Sequence, residues 1–182
     1  ANLIYAILGH RIYNWSMVGT DTDNLALKTA KALIDINPVL QKGIQLRQQK
    51  NLRFILEGII RENDFFHATV CTPPFYASAE EAAGANARKR KNLKLGPVGR
   101  TVAGQPGELW TEGGEKLFLL RFIKESKIYG QQIGWFTSLV SQKDNLEPLH
   151  RALQKAAARE VKIIPLAAGQ KRTRILAWRF QD

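Results

Sequence analysis

Residues 66–75 read Phe-His-Ala-Thr-Val-Cys-Thr-Pro-Pro-Phe and form the most informative segment of the chain. Its first six residues predict a strand, because aromatic and β-branched residues favour strands. Pro73 and Pro74 then end the strand in a rigid backbone whose carbonyl groups are not consumed by helix hydrogen bonds. Phe75 follows them and suits stacking on a flat ring. The combination fits the binding of a planar amine such as a nucleobase; a rigid turn with a core phenylalanine is the alternative.

The chemistry that residues 72–75 suit is transfer of a methyl group to an exocyclic ring nitrogen. The lone pair of that nitrogen is delocalised into the ring, so the amine is a poor nucleophile. The Thr72 side chain and the Pro73 carbonyl can accept hydrogen bonds from the amine, which localises the lone pair and acts as preorganised electrostatics. Stacking of the base on Phe75 contributes roughly 1–3 kcal/mol. No general base is required.

The composition indicates a globular protein with a polyanionic partner. The chain has 182 residues, 45% of them hydrophobic, and a net charge of +11. Nucleic acid explains that charge first and an anionic membrane second; a merely basic protein is the alternative. Cys71 is the sole cysteine, which excludes an intramolecular disulfide and a multi-cysteine zinc site. The histidines show no metal-ligand spacing, no run approaches the roughly 20 apolar residues of a membrane span, and we expect a cytoplasmic protein without a metal.

Strands alternate with helices along the chain, which predicts an α/β fold with a mostly parallel sheet. Two strands at the C-terminus have no helix between them and predict an antiparallel hairpin at the sheet edge. The predicted strands are 14–20, 44–46, 66–71, 132–140, 161–166 and 175–180, and the predicted helices begin after Asp23, near 113 and at Asn145.

The apolar spacing of two helices predicts their buried faces. In the first helix the inward residues are expected to be Leu27, Ala30, Leu33 and Ile34. In the helix over about 113–129 they are expected to be Leu117, Leu120, Ile123 and Ile128.

Asp21 ends the first predicted strand. Ligands of doubly wound sheets bind beyond the carboxyl ends of strands, where an acidic residue can hold both ribose hydroxyls of a nucleotide-like cofactor. The alternative is that Asp21 is a turn residue and Asp23 only a helix cap.

A basic, glycine-rich stretch over 76–111 has little apolar periodicity and is predicted to be an insertion or mobile loop. Such a run can neutralise several RNA phosphates, although a solvated charged loop is the alternative. Its candidate phosphate contacts are Arg88, Lys89, Arg90, Lys91, Lys94 and Arg100. A basic turn with Lys171, Arg172 and Arg174 is a second candidate contact, or a charged hairpin.

Glu112-Gly113-Gly114-Glu115 ends the basic stretch and begins a helix. The glycines allow close backbone approach to a ligand. Equally, Glu115 simply suits the positive end of the helix.

These motifs together resemble one family, the bacterial large-subunit ribosomal RNA adenine-N6 methyltransferases of the F type and their eukaryotic methyltransferase-like relatives. The bacterial branch looks nearest. The segments that carry the resemblance are Ala1–Tyr5, Gly19–Asp23, Cys71–Phe75, Glu112–Glu115, Trp135–Val140 and Gly169-Gln170 with the basic residues after it.

The resemblance implies a Rossmann-like methyltransferase dependent on S-adenosylmethionine (SAM), with a seven-stranded sheet in a single catalytic domain over 1–182. It assigns Asp21 to the cofactor ribose, Asn2 to the cofactor's amino-acid end and Asn51 to its adenine side. It assigns Thr72 a contact with the cofactor as well as with the substrate, and it implies that residues 72–75 hold the target adenine. The implied substrate is N6 of one adenine in large-subunit ribosomal RNA, modified by a cytoplasmic monomer with no membrane partner.

Two departures from the family pattern matter. The family has Asn or Asp where this chain has Thr72, which offers one hydroxyl on a shorter arm. The family's first strand and its Asp-x-Gly-x-Gly loop are expected just before Ala1. A catalytically weak or silent relative that only clamps ribosomal RNA is therefore the rival hypothesis. A methyltransferase for a protein glutamine or for DNA is a third.

Overall fold

The computed structural model describes residues 3–92, 109–168 and 171–182. Two compact units make up the chain, residues 1–62 and 63–182, and each is described by itself. The single domain over 1–182 stays a prediction. Within the described residues no helix is both long and apolar enough to cross a bilayer.

The smaller unit is a βα arrangement with two parallel strands. Its elements are α1 (Ile4–Tyr13), β1 (Met17–Asp21), α2 (Asn24–Asp35), α3 (Pro38–Gln41) and β2 (Ile44–Gln48). The strands pair from Met17 opposite Ile44 to Asp21 opposite Gln48. Asp21 therefore lies at the carboxyl end of the pair, as the sequence predicts.

Asp23 fixes the start of α2, since its carboxylate accepts a hydrogen bond from the backbone N–H of Leu25 at 2.8 Å. The buried face of α2 carries Ala30 and Ile34, which pack with residues of α1, α3 and β2. Those two predictions are confirmed. Leu33, predicted to face inward, is 37% exposed.

The larger unit contains a four-stranded mixed sheet. Its elements are β3 (Phe66–Ala68), α4 (Ala79–Asn92), α5 (Gly114–Ile128), β4 (Ile133–Val140), a 3₁₀ turn (Lys143–Asn145), α6 (Leu146–Lys155), β5 (Glu160–Ala168) and β6 (Lys171–Arg179). The strand order is β3-β4-β6-β5. β3 and β4 are parallel, whereas β6 is antiparallel to both β4 and β5.

The α/β class and the antiparallel edge hairpin are therefore confirmed. The predicted seven-stranded sheet is not, because the described residues form sheets of two and four strands.

The core of the larger unit is aromatic. Trp178 is fully buried, stacks on Phe136 with ring centroids 5.7 Å apart, and meets Phe122 edge-on at 5.2 Å. The Trp178 indole N–H donates to the Ser126 hydroxyl at 2.8 Å, so the ring is buried without an unpaired donor.

The predicted face of α5 is partly wrong. Leu117 and Ile128 are 47% and 71% exposed, while Leu119 and Phe122 are buried together with Ile123. The buried face also carries Glu115, Glu125 and Ser126, and these polar residues obscure its apolar spacing.

The prediction of a loop over 76–111 is also wrong in part, because residues 79–92 form α4. Ala, Glu, Arg and Lys are strong helix formers. A capping box starts the helix: Ser78 Oγ accepts from the Glu81 backbone N–H at 3.2 Å, and the Glu81 carboxylate accepts from the Ala77 N–H at 2.8 Å.

Candidate active site

Residues 72–75 follow directly from the parallel pairing of β3 with β4. The Thr69 N–H donates to the Trp135 carbonyl at 2.8 Å, and the Leu139 N–H donates to the Cys71 carbonyl at 3.0 Å. The tetrapeptide thus begins where the two strands reach their carboxyl ends, the edge at which α/β sheets bind ligands.

The backbone on either side of Phe75 is held by the segment that precedes α5. The N–H groups of Phe75 and Tyr76 both donate to the Leu109 carbonyl at 3.1 Å, and the Thr111 N–H donates to the Tyr76 carbonyl at 3.0 Å. Thr72 is exposed, Pro73 is buried, and Pro74 and Phe75 are half-buried. Threonine and phenylalanine side chains therefore stand on a rigid, anchored turn.

The two glycines at the start of α5 lie where a side chain would be crowded. Gly113 and Gly114 have positive φ of 73° and 61°, which favours glycine. A Cβ on Gly114 would lie 3.3 Å from the Ala77 nitrogen. Gly114 thus packs the start of α5 against the residues that follow Phe75, whereas Gly113 leaves room for the Leu117 side chain.

Glu115 lies in the first turn of α5 and is 1% exposed. Its Oε1 accepts from the Ser141 backbone N–H at 2.7 Å, and its Oε2 accepts a short hydrogen bond from the Ser141 hydroxyl. The sequence suggests a favourable position for Glu115 at the helix end but gives no sign of Ser141 as its partner.

Asp21 lies half-buried at the carboxyl end of β1. Its Oδ1 accepts from the Asp23 N–H at 2.9 Å, which forms a tight turn before α2. The carboxylate is an acceptor at a strand end, the type and place that ribose hydroxyls require. Asp21 is therefore a turn residue, as one alternative predicted. A carboxylate in this position also fits the ribose contact, which stays a prediction.

Asn51 lies in the loop that follows β2, at the same edge of the smaller unit as Asp21. Gln49, buried and not predicted as a site residue, joins the two: its N–H donates to the Asp21 carbonyl at 2.9 Å, and its side-chain oxygen accepts from the Asn51 N–H at 2.9 Å. Its amide also donates to the Glu57 carbonyl at 2.7 Å. A glutamine after a strand is too common to reveal such a role.

Cys71 precedes the tetrapeptide but is poorly suited to act as a nucleophile. Burial raises the pKa of the Cys71 thiol to about 11, and a hydrogen bond with Ser138 opposes only part of that rise. The thiol is therefore protonated at neutral pH, when only the thiolate would attack.

The other predicted cofactor and RNA contacts lie partly inside and partly outside the described residues. Asn2, Lys94 and Arg100 lie outside the described residues. Arg88, Lys89, Arg90 and Lys91 fall in α4 rather than in a loop, and Lys171, Arg172 and Arg174 fall in β6. Within the described residues, no group of three His, Cys, Asp or Glu side chains is arranged to hold a metal ion.

A family model described as "RNA methyltransferase" matches residues 1–182. The chain belongs to the RNA methyltransferase family. The resemblance carried by the Pro-Pro-Phe and Glu-Gly-Gly-Glu segments is thereby confirmed.

Curated members of this family match the whole chain. Ribosomal RNA large subunit methyltransferase F of Cronobacter sakazakii is 48% identical over 183 residues, which cover 100% of this chain and 59% of that protein. The protein of the same name from Psychrobacter sp. is 45% identical and covers 100% and 60%. The chain thus spans about three fifths of the length of these relatives.

Solved structures share the fold of this chain. The hMettl16 catalytic domain in complex with MAT2A 3′UTR hairpin 1 is 27% identical, with a TM-score of 0.81 over 98% of this chain and 60% of that one. The N-terminal domain of human METTL16 in complex with SAH is 22% identical, with a TM-score of 0.70 over 98% and 57%, and shows the fold alone.

Proposed function

We propose that the protein methylates N6 of a specific adenine in large-subunit ribosomal RNA, with SAM as the methyl donor. The observation that carries the proposal is the anchored turn of residues 72–75 at the carboxyl ends of β3 and β4. The names of the curated relatives support the ribosomal substrate, the hMettl16 complex with a MAT2A 3′UTR hairpin supports RNA as a ligand, and the family description as RNA methyltransferase supports a methyl donor.

The chain's own residues supply binding and polarisation. The Thr72 hydroxyl and the Pro73 carbonyl accept hydrogen bonds from the adenine amine and direct its lone pair outward. Phe75 stacks on the base, whose extrusion costs least from a loop or bulge. The amine nitrogen would form a bond to the methyl carbon as the bond from that carbon to the donor sulfur breaks and leaves a neutral thioether. The nitrogen would then release one proton to water, so no buried base is needed.

Asp21 and Asn51 would hold the cofactor, Asp21 through the ribose hydroxyls and Asn51 on the adenine side. Asn2 is proposed for its amino-acid end. SAM, when bound, supplies a methyl group activated by a sulfonium. The contacts of Gln49 with both Asp21 and Asn51 support this assignment, because they bring an acceptor carboxylate and a polar loop to one edge.

RNA binding is proposed for the basic residues of α4, the segment after it and β6: Arg88, Lys89, Arg90, Lys91, Lys94, Arg100, Lys171, Arg172 and Arg174. The net charge of +11 supports this, because phosphate neutralisation is the usual reason for such an excess. A cytoplasmic monomer and a single catalytic domain with a seven-stranded sheet complete the proposal.

The test uses the full-length protein, labelled SAM and ribosomal RNA that lacks the modification. The RNA is digested and N6-methyladenosine is measured by mass spectrometry. One stoichiometric site is the expected result. RNA binding without a methyl product would favour the silent clamp, and Thr72→Asn, which restores the family's residue, would then show whether Thr72 is the cause.

A further inference from the structure

The hydrogen-bond ladder between β3 and β4 stops one step early. A parallel ladder advances by two residues on each strand per step. After Leu139 N–H to Cys71 carbonyl, the next donor and acceptor are the Ser141 N–H and the Pro73 carbonyl. That bond is absent among the hydrogen bonds of the described residues.

The Ser141 N–H, which the ladder would have directed to Pro73, donates to Glu115 instead. The Ser141 N–H points to Glu115 Oε1 at 2.7 Å, and the Ser141 hydroxyl binds the other carboxylate oxygen. A charged carboxylate is a stronger acceptor than a neutral carbonyl, and Glu115 is buried where water competes little. Over residues 3–92, 109–168 and 171–182, nothing donates to the Pro73 carbonyl.

The other half of the same ladder step is also replaced. Pro73 has no N–H to give to the Leu139 carbonyl. The Ser138 hydroxyl lies 3.2 Å from that oxygen and 3.4 Å from the Cys71 carbonyl, so its one proton can be donated to either. Side chains thus reach both groups of the strand that would have paired with Pro73. Of the groups in this ladder step, the Pro73 carbonyl, on a buried residue, is the one that receives no hydrogen bond within the described residues.

We propose that Glu115 is a positioning residue that keeps the Pro73 carbonyl available to the target amine. By holding the Ser141 N–H, it prevents the sheet from closing over the acceptor. The inference rests on the proposed function, in which that carbonyl polarises the adenine amine. Glu115 is buried and acts through Ser141, without touching the substrate.

Glu115→Ala and Glu115→Gln in the full-length protein separate this role from simple anchoring of α5. Alanine releases the Ser141 N–H to the Pro73 carbonyl, and we expect single-turnover methyl transfer at saturating SAM and RNA to fall at least about tenfold. The Kd values for SAM and RNA should not change. Glutamine keeps an acceptor oxygen for Ser141 and should retain most of the rate. Glu125→Ala, which removes a second buried glutamate of α5, is the control and should lower Tm without changing the rate.

A second change removes the competing donor. Ser141→Pro has no N–H, so adding it to Glu115→Ala should recover part of the lost rate. A Glu115→Ala variant with the wild-type rate, or a double variant as slow as Glu115→Ala alone, would overturn the proposal.

A crystal structure tests the same proposal without a measurement of methyl transfer. In a crystal structure of Glu115→Ala, Ser141 N should lie within hydrogen-bond distance of Pro73 O, and a gap there would refute the mechanism even if wild-type protein makes no N6-methyladenosine. If the variant does not fold, the NMR chemical shift of the Pro73 carbonyl ¹³C in the wild-type protein tests whether that carbonyl accepts a hydrogen bond. It should be that of an unbonded carbonyl and move when the RNA binds; a bonded value in the free protein would refute the proposal.

Discussion

Asp21 and Asp23 stand two residues apart and differ in what their carboxylates do. Asp23 caps α2, whereas Asp21 ends β1 and is proposed to hold the cofactor ribose. We expect Asp21→Ala to abolish SAM binding in calorimetry. Asp23→Ala should keep the SAM affinity and lower the free energy of unfolding by about 1 kcal/mol, the usual loss for an N-cap. Unchanged SAM affinity in Asp21→Ala would contradict the assignment.

Phe75 is the residue whose aromatic ring is proposed to hold the target base. Phe75→Ala should lower kcat by about ten- to a hundredfold, since stacking contributes roughly 1–3 kcal/mol. RNA affinity should change much less, because phosphate contacts dominate it. Phe65→Ala is the matched control, as Phe65 is 57% exposed and precedes β3. Equal losses of kcat and RNA affinity in Phe75→Ala would argue against stacking.

At the scale of elements, α5 offers a matched pair of leucines. Leu119 is 0% exposed and Leu117 is 47% exposed on the same helix. Leu119→Ala should lower the free energy of unfolding by about 2–5 kcal/mol, whereas Leu117→Ala should stay within about 0.5 kcal/mol of wild type. Urea denaturation measures both. A larger loss for Leu117 would mean that the face predicted from apolar spacing is the buried one after all.

Local signals predicted where the strands lie, because they depend on chemistry within a few residues, but not every end: β3 ends at Ala68 rather than Cys71, and β6 begins at Lys171 rather than at 175. The Asp23 cap, the strand before Pro73 and the β5–β6 hairpin are of this kind. The helix α4 was missed although Ser78 and Glu81 form its capping box, since the segment lacks an apolar face to attract notice.

Hydrogen-bond partners that are distant along the chain could not be predicted from the sequence. Glu115 and Ser141 are 26 residues apart, and Thr137 and Thr69 are 68 apart, with the Thr137 N–H donating to the Thr69 hydroxyl at 3.1 Å. Nothing local to either member of such a pair reveals the other. The buried face of α5 was misassigned for the same reason, because its polar residues are buried only where distant partners satisfy them.

At the scale of the whole molecule, the excess of 27 Lys and Arg over 16 Asp and Glu should make RNA binding strongly salt-dependent. Lys94→Ala with Arg100→Ala should reduce the slope of log K against log salt by about 1.5, since each phosphate contact contributes roughly 0.7–0.9. Lys31→Ala is the control, because Lys31 pairs with Asp35 on α2. An unchanged slope in the double variant would remove these two residues from the RNA contact.

Tyr76 and Trp110 pair side by side, so the two ends of the segment between them lie at neighbouring points of the larger unit. Loop-closure entropy rises by only about 0.6 kcal/mol for each doubling of length. Because its ends are already joined, we expect this segment to tolerate insertions at little cost in stability. If residues 72–75 hold the target base as proposed, we expect changes in this segment to alter RNA preference while the site itself stays unchanged.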